Sequence, residues 1–229
     1  MPEVLKVHRH EEKYLLSPLQ AAHARAMLDG LLKRDGHSAA GAYFIRSLYF
    51  DTPADDDYTD KLLGISDRCK LRLRLYDVNC AALKLEIKEK QGTVSQKVSQ
   101  TVTREQAQAL VLGQTEELLR HNTTAACRAY RMFQAQGRRP AVLVDYRRTA
   151  WVGPLEHLRI TLDEQVGAAK SVALFDPTVN TVKLHSAGAV ILEIKYDHYF
   201  PGYLRGPLSA VGGVSMSISK YATARGILY

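Results

Sequence analysis

Lys13, Arg72, Arg74, Lys88, Lys97, Arg148, Arg159, Lys195 and Lys220 are the residues of this chain best placed to do chemistry, with Glu11, Glu86 and Glu193 interspersed among them. Most lie in stretches where apolar and charged residues alternate. Leu83-Lys84-Leu85-Glu86-Ile87-Lys88-Glu89-Lys90 is the clearest, and Lys70-Leu71-Arg72-Leu73-Arg74-Leu75-Tyr76 precedes it. Val190-Ile191-Leu192-Glu193-Ile194-Lys195-Tyr196 repeats the pattern, and Val7-His8-Arg9-His10-Glu11-Glu12-Lys13-Tyr14 is a weaker copy. Successive side chains of a β-strand point to opposite faces, so each stretch has an aliphatic face and a charged one. Singly, Arg-x-Arg is an ordinary solvated face and Glu-x-Lys an ordinary cross-strand ion pair. Their recurrence points to one sheet with a densely charged face, which turns inward if the sheet closes.

Cations crowded in this way repel one another unless an anion sits among them. Phosphate fits, because Arg grips its oxygens bidentately and Lys acts as a point charge. The three carboxylates could pair with the cations or hold a hard divalent metal that bridges phosphate oxygens. This outlines a polyphosphate or nucleoside-triphosphate site whose catalysis is positioning plus charge neutralisation. No residue reads as a covalent nucleophile. Ser219 before Lys220 reads equally as a helix cap, and Tyr146 with Arg148 as a sheet edge.

The elements that must carry these residues read as follows. A first strand covers 3–14. Ser17-Pro18 caps a helix running to about Arg34. Strands follow at 43–50, 69–77, 83–90 and 94–102, with a short helix at 55–63. Thr103-Arg104-Glu105-Gln106 resembles a capping box and opens a helix to about Leu112. A second helix spans 116–136. Strands at 141–151, 158–162 and 190–196 come next, with a faint one at 179–184, a short helix at 204–211 and a final helix from Ser217. The reading is α+β: an antiparallel β-barrel of about eight strands with helices packed outside, wide enough to enclose a small ligand. No linker or repeat divides the chain, so 1–229 reads as a single domain.

The net charge is +7, from 31 Lys+Arg against 24 Asp+Glu, which favours an anionic partner. Nucleic acid is disfavoured, because the basic residues alternate with aliphatics rather than with stacking aromatics. There is no P-loop and no dinucleotide-binding glycine motif. Cys69, Cys80 and Cys127 have neither disulfide nor zinc spacing, and no apolar run is long enough to span a membrane. The expectation is a soluble cytoplasmic protein.

Ordered motifs then carry a family resemblance: Arg9-x-Glu11-x-Lys13-Tyr14, Ser47-Leu48-Tyr49-Phe50-Asp51-Thr52, Arg72-Leu73-Arg74-Leu75-Tyr76, Glu86-Ile87-Lys88-x-Lys90, Asp145-Tyr146-Arg147-Arg148-Thr149-Ala150-Trp151, Arg159-Ile160-Thr161-Leu162-Asp163, Leu192-Glu193-Ile194-Lys195-Tyr196 and Ser219-Lys220-Tyr221. Together they resemble the VTC domain, the polyphosphate polymerase domain of the vacuolar transporter chaperone, within the triphosphate tunnel metalloenzyme (CYTH-like) superfamily. The form resembled is free-standing and bacterial, without the SPX domain and membrane segments of the eukaryotic complex. Ser217 stands where the eukaryotic polymerase carries a basic residue.

The resemblance implies a barrel tunnel that binds ATP and polyphosphate with Mn²⁺ or Mg²⁺, and transfer of the ATP γ-phosphate onto a polyphosphate chain with release of ADP. It makes Arg72, Arg74, Lys88, Lys97, Arg148 and Arg159 phosphate ligands, with Lys13 lining the tunnel; Lys195, from the inward cationic set, is a further phosphate-binding candidate. Tyr146, Ser219 and Lys220 would hold the chain. Glu193 would be the first metal ligand, with Glu11 and Glu86 as further candidates. The alternatives are a tripolyphosphate or nucleoside-triphosphate hydrolase on the same scaffold, and a polyphosphate-binding module without turnover.

Overall fold

The computed structural model describes residues 10–92, 94–186 and 188–229. Residues 3–9 of the expected first strand, with His8 and Arg9, lie outside them. The described elements run β1 (His10–Leu16), α1 (Pro18–Leu31), β2 (Lys33–Arg34), β3 (Tyr43–Asp51), α2 (Asp56–Leu62), β4 (Arg68–Leu75), β5 (Ala82–Gln91), β6 (Val94–Thr103), α3 (Arg104–Val111), α4 (Thr124–Gln136), β7 (Arg139–Val152), β8 (Arg159–Ala169), β9 (Val182–Lys183), β10 (Val190–Tyr196), α5 (Gly202–Val211), β11 (Val214–Ser215) and α6 (Lys220–Leu228).

Among the described residues the fold is α+β, built on an 11-stranded sheet with the order β11-β1-β10-β8-β7-β3-β4-β5-β6, with β2 joined to β7 and β9 to β8. This corrects the expected closed barrel of about eight strands. Among the described residues the pairing path is open, because closure needs a ladder between its two ends, and β11 is only two residues long. The extra strands β2, β9 and β11 are two residues each, too short to show a period of two.

The chain divides into two compact units. One takes the described residues up to Phe44 with Tyr146–Val166 and Lys183–Ser219, and the other takes Ile45–Asp145, Gly167–Val182 and Lys220–Tyr229. In the second unit the aliphatic face forms as the alternation predicts. Leu48, Phe50, Leu71, Leu73, Leu75, Leu83, Leu85 and Ile87 are all buried, and α3 and α4 pack against β5 and β6. Phe133 of α4 meets Phe50 edge to face at 5.1 Å. In the first unit Trp151, Ile160, Leu162, Leu192 and Ile194 form the core with Ala24 and Leu28 of α1 and Leu204 of α5. Burying the aliphatic face sends the alternate residues of each strand to the other side.

Local chemistry explains the helix limits. Ser17 and Gln20 form a capping box with Pro18 at the first turn, and Thr103 with Gln106 forms another. The helix expected over 116–136 is broken into a 3-10 segment, Glu116–His121, and α4. Asn122 takes a left-handed conformation at φ 45°, and the Thr123 hydroxyl accepts from the Ala126 amide at 3.2 Å to cap a fresh start. β8 runs on past Leu162 to Ala169. Gln165 at φ 53° interrupts its alternation, which hides the continuation in the sequence. Among the described residues no helix is long and apolar enough to cross a membrane.

Candidate functional site

The predicted site residues gather into two clusters, one in each unit. In the second unit, strand register sets them in rows across one sheet face. Tyr49 lies beside Arg72, Arg72 beside Glu86 and Glu86 beside Ser99. Ser47, Arg74, Lys84 and Thr101 form the next row, and Lys70, Lys88 and Lys97 a third. Arg72 donates from Nε and Nη2 to Glu86 Oε2 at 2.9 and 2.7 Å, and from Nη1 to the Tyr49 hydroxyl at 3.1 Å. Lys97 Nζ meets Glu86 Oε1 at 3.0 Å, and Arg74 Nη1 stands 3.8 Å from Oε2. Arg74 Nε donates to Ser47 Oγ at 3.2 Å. Three cations thus converge on one carboxylate that is 2% exposed. Burial alone would raise the pKa of Glu86, but the charges of Arg72, Arg74 and Lys97 outweigh it and hold the value at about 2.

Tyr49 shows the same positive potential from the other side. Its burial opposes ionisation, yet Arg72, Arg74 and Lys70 bring its pKa down to about 8. The Arg72 guanidinium also lies 5.7 Å from its ring centroid. Lys70 stands over the Tyr221 ring at 5.7 Å, and the Tyr221 hydroxyl donates to the buried Asp51.

In the first unit, Glu11 and Lys13 of β1 lie opposite Lys195 and Glu193 of β10, which in turn oppose Arg159 and Thr161 of β8. Lys13 Nζ sits 2.7 Å from Glu11 and 3.5 Å from Glu193, and donates to the Ile218 carbonyl at 3.1 Å. Lys195 Nζ sits 2.6 Å from Glu193 and 3.7 Å from Glu11. Burial works against the charge of Lys13, but Glu193 and Glu11 outweigh it and raise its pKa. Arg148 grips the fully buried Asp163 through Nε and Nη2 at 2.6 and 2.7 Å and lies over the Tyr146 ring at 5.3 Å. Burial opposes that guanidinium too, and Asp163 reverses the effect. Arg159 Nη2 donates to Asp35 at 2.8 Å and to the Tyr43 hydroxyl at 3.2 Å.

Lys88 is half-buried on the same face as Lys97. Ser219 precedes α6 and Lys220 opens it, both half-buried. Sequence spacing assigns no role to Tyr49, Ser47 or Asp163. Ser47 and Tyr49 share a parity within one of the quoted motifs, and Asp163 lies two residues beyond Thr161 on the face of Arg159. Spacing alone does not reveal that Asp163 would be the carboxylate holding Arg148.

A divalent cation finds suitable donors in the first unit. Glu11 and Glu193 offer hard carboxylate oxygens that the structure already pairs with the ammonium groups of Lys13 and Lys195. Among the described residues no group of three or more His, Cys, Asp and Glu side chains forms a metal cage. One or two carboxylates completed by substrate oxygens and water is the usual Mg²⁺ arrangement. Glu86 is engaged by Arg72, Arg74 and Lys97 instead.

The VTC domain family profile matches residues 8–229, so the chain belongs to the VTC domain family. A Bacillus halodurans protein assigned as a candidate adenylate cyclase shares its fold. The two superpose with a TM-score of 0.52 at 14% identity, over 95% of this chain and 96% of that one. The Pyrococcus horikoshii protein PH1819 aligns with a TM-score of 0.49 at 12% identity, over 93% of this chain and 96% of that one. No curated protein matches the chain in sequence.

Proposed function

We propose that this VTC-domain chain makes inorganic polyphosphate, transferring the γ-phosphoryl group of ATP onto a polyphosphate end and releasing ADP. The observation that carries the proposal is the convergence of Arg72, Arg74 and Lys97 on the single buried carboxylate of Glu86. Lys70, Lys84 and Lys88 add further positive charge to the same face. A face with this excess is electrostatically incomplete without an anion, and a phosphate chain supplies closely spaced anionic oxygens that suit Arg and Lys.

In this reading Glu86 is a positioning residue. By taking Nε and Nη2 of Arg72 it fixes the plane of the guanidinium. Asp163 does the same for Arg148, while Asp35 holds Arg159 through Nη2 alone. Lys88, Lys97, Lys13 and Lys195 act as point charges, and Tyr146, Ser219 and Lys220 help to hold the chain. Glu11 and Glu193 would hold Mn²⁺ or Mg²⁺, which neutralises charge on phosphate oxygens when bound. The bond from the γ-phosphorus to the ADP oxygen breaks as the polyphosphate terminal oxygen bonds to that phosphorus, and ADP leaves with the electron pair. Positioning and charge stabilisation suffice for such a transfer. The free thiols of Cys69, Cys80 and Cys127 suit a reducing, cytoplasmic setting.

The test follows ATP by phosphorus NMR with Mg²⁺ and the purified chain. Growth of internal polyphosphate signals in step with ADP is the expected result. Orthophosphate and ADP without polymer would replace the polymerase by a hydrolase. Tight binding without consumption of ATP would leave a binding module.

A further inference from the structure

Thr161 is 2% exposed, yet its hydroxyl has no hydrogen-bond partner among the described residues. The Nε–H of Arg159 is likewise buried and unpartnered. The two residues are two apart on β8, so their side chains leave the same face. On β10 they lie opposite Glu193 and Lys195. A buried donor without an acceptor is costly and rare, and two adjacent ones on a single strand face imply one missing acceptor.

The neighbouring carboxylates are already engaged. Asp163 receives two hydrogen bonds from Arg148, and Glu193 pairs with Lys195 and Lys13. Arg159 is meanwhile held by its Nη2 bonds to Asp35 and Tyr43, so its guanidinium is fixed while Nε is left over. A hydroxyl suits this place because it donates without adding to the positive charge of Arg148, Arg159, Lys13 and Lys195.

We infer that Thr161 Oγ1 and Arg159 Nε donate together to the oxygens of one bound phosphoryl group, which makes Thr161 a substrate-positioning residue. The inference rests on the phosphate-binding reading proposed above and adds a neutral donor to its cations. In metal-free buffer the hydroxyl still binds, since its acceptor is a phosphate oxygen rather than the cation.

The experiment titrates tripolyphosphate into wild type, Thr161→Val, Thr161→Ser and Arg159→Lys by calorimetry without divalent metal, and records melting curves of each ligand-free protein. Thr161→Val keeps its melting temperature or gains a little, because an unsatisfied polar atom is removed, while its affinity falls on the order of tenfold. Thr161→Ser binds as wild type does. Thr161→Val combined with Arg159→Lys loses less than the sum of the single losses, since both donors serve one group. Unchanged affinity in Thr161→Val overturns the inference and leaves the phosphate reading standing. A wild type that does not bind tripolyphosphate removes both. Should Thr161→Val fail to fold, Thr161→Ala is read against the same two outcomes.

Discussion

Arg72 gives two donors to Glu86 and a third to Tyr49, so its removal takes a fixed charge from the site without stranding its partner. Glu86 retains Lys97 at 3.0 Å and Arg74 at 3.8 Å. Arg72→Ala is therefore expected to fold normally by circular dichroism and to lose on the order of a hundredfold in phosphotransfer rate, as sites do on losing one preorganised donor. Collapse of the fold instead would assign Arg72 a structural role. Tyr49 offers a direct reading of the same potential. Its folded pKa of about 8 lies below the ordinary tyrosine value of 10, so a tyrosinate absorbance step should appear near pH 8 and vanish in Tyr49→Phe. A depressed value favours the folded state fully above the unfolded pKa, and that contribution fades as pH falls through the folded one. Tripolyphosphate bound beside Arg72 and Arg74 offsets their field and should move the step upward. A step that ignores the ligand would place the phosphate elsewhere.

The strands that carry the site were legible because their two faces differ so sharply. Leu71, Leu73, Leu85 and Ile87 face the core, and Arg72, Arg74, Glu86 and Lys88 share the other side, as a period of two requires. Capping was legible at Ser17 and Thr103, where a hydroxyl precedes Gln by three residues. It is hidden at Asn122-Thr123, where apolar residues on both sides suggest one continuous helix. Thr123 both caps α4 and donates to Gln100 at 2.6 Å. Thr123→Ala should cost about 1 kcal/mol, seen as a lower denaturant midpoint with an unchanged slope. Its phosphotransfer rate should stay at the wild-type value, since Thr123 touches none of the charged rows. An unchanged midpoint would mean that the left-handed Asn122 alone sets the break.

For the chain as a whole, the pairing of distant strands is what local pattern could not supply. Period-two alternation says which residues share a face, but not whether the first and last strands meet. A closed barrel is accordingly expected, whereas the strands of the described residues follow an open path. Pairs such as Arg148 with Asp163 or Arg159 with Asp35 likewise depend on partners 15 and 124 residues away. The positive balance has a further consequence at this scale. With a net charge of +7, much of it on the charged face, tripolyphosphate affinity should fall on the order of tenfold between about 50 and about 200 mM salt. Salt-insensitive binding, measured by the same calorimetry, would argue against an electrostatic site.

The central claim is that the charged sheet face holds the phosphate chain, and a crystal structure with tripolyphosphate bound tests it most directly. The account predicts phosphate oxygens within hydrogen-bonding distance of Arg72, Arg74 or Lys97 in one unit, or of Arg148, Arg159 and Thr161 in the other. Phosphate seated away from both clusters, with Arg72 still clasping Glu86 and no oxygen against either, would contradict it.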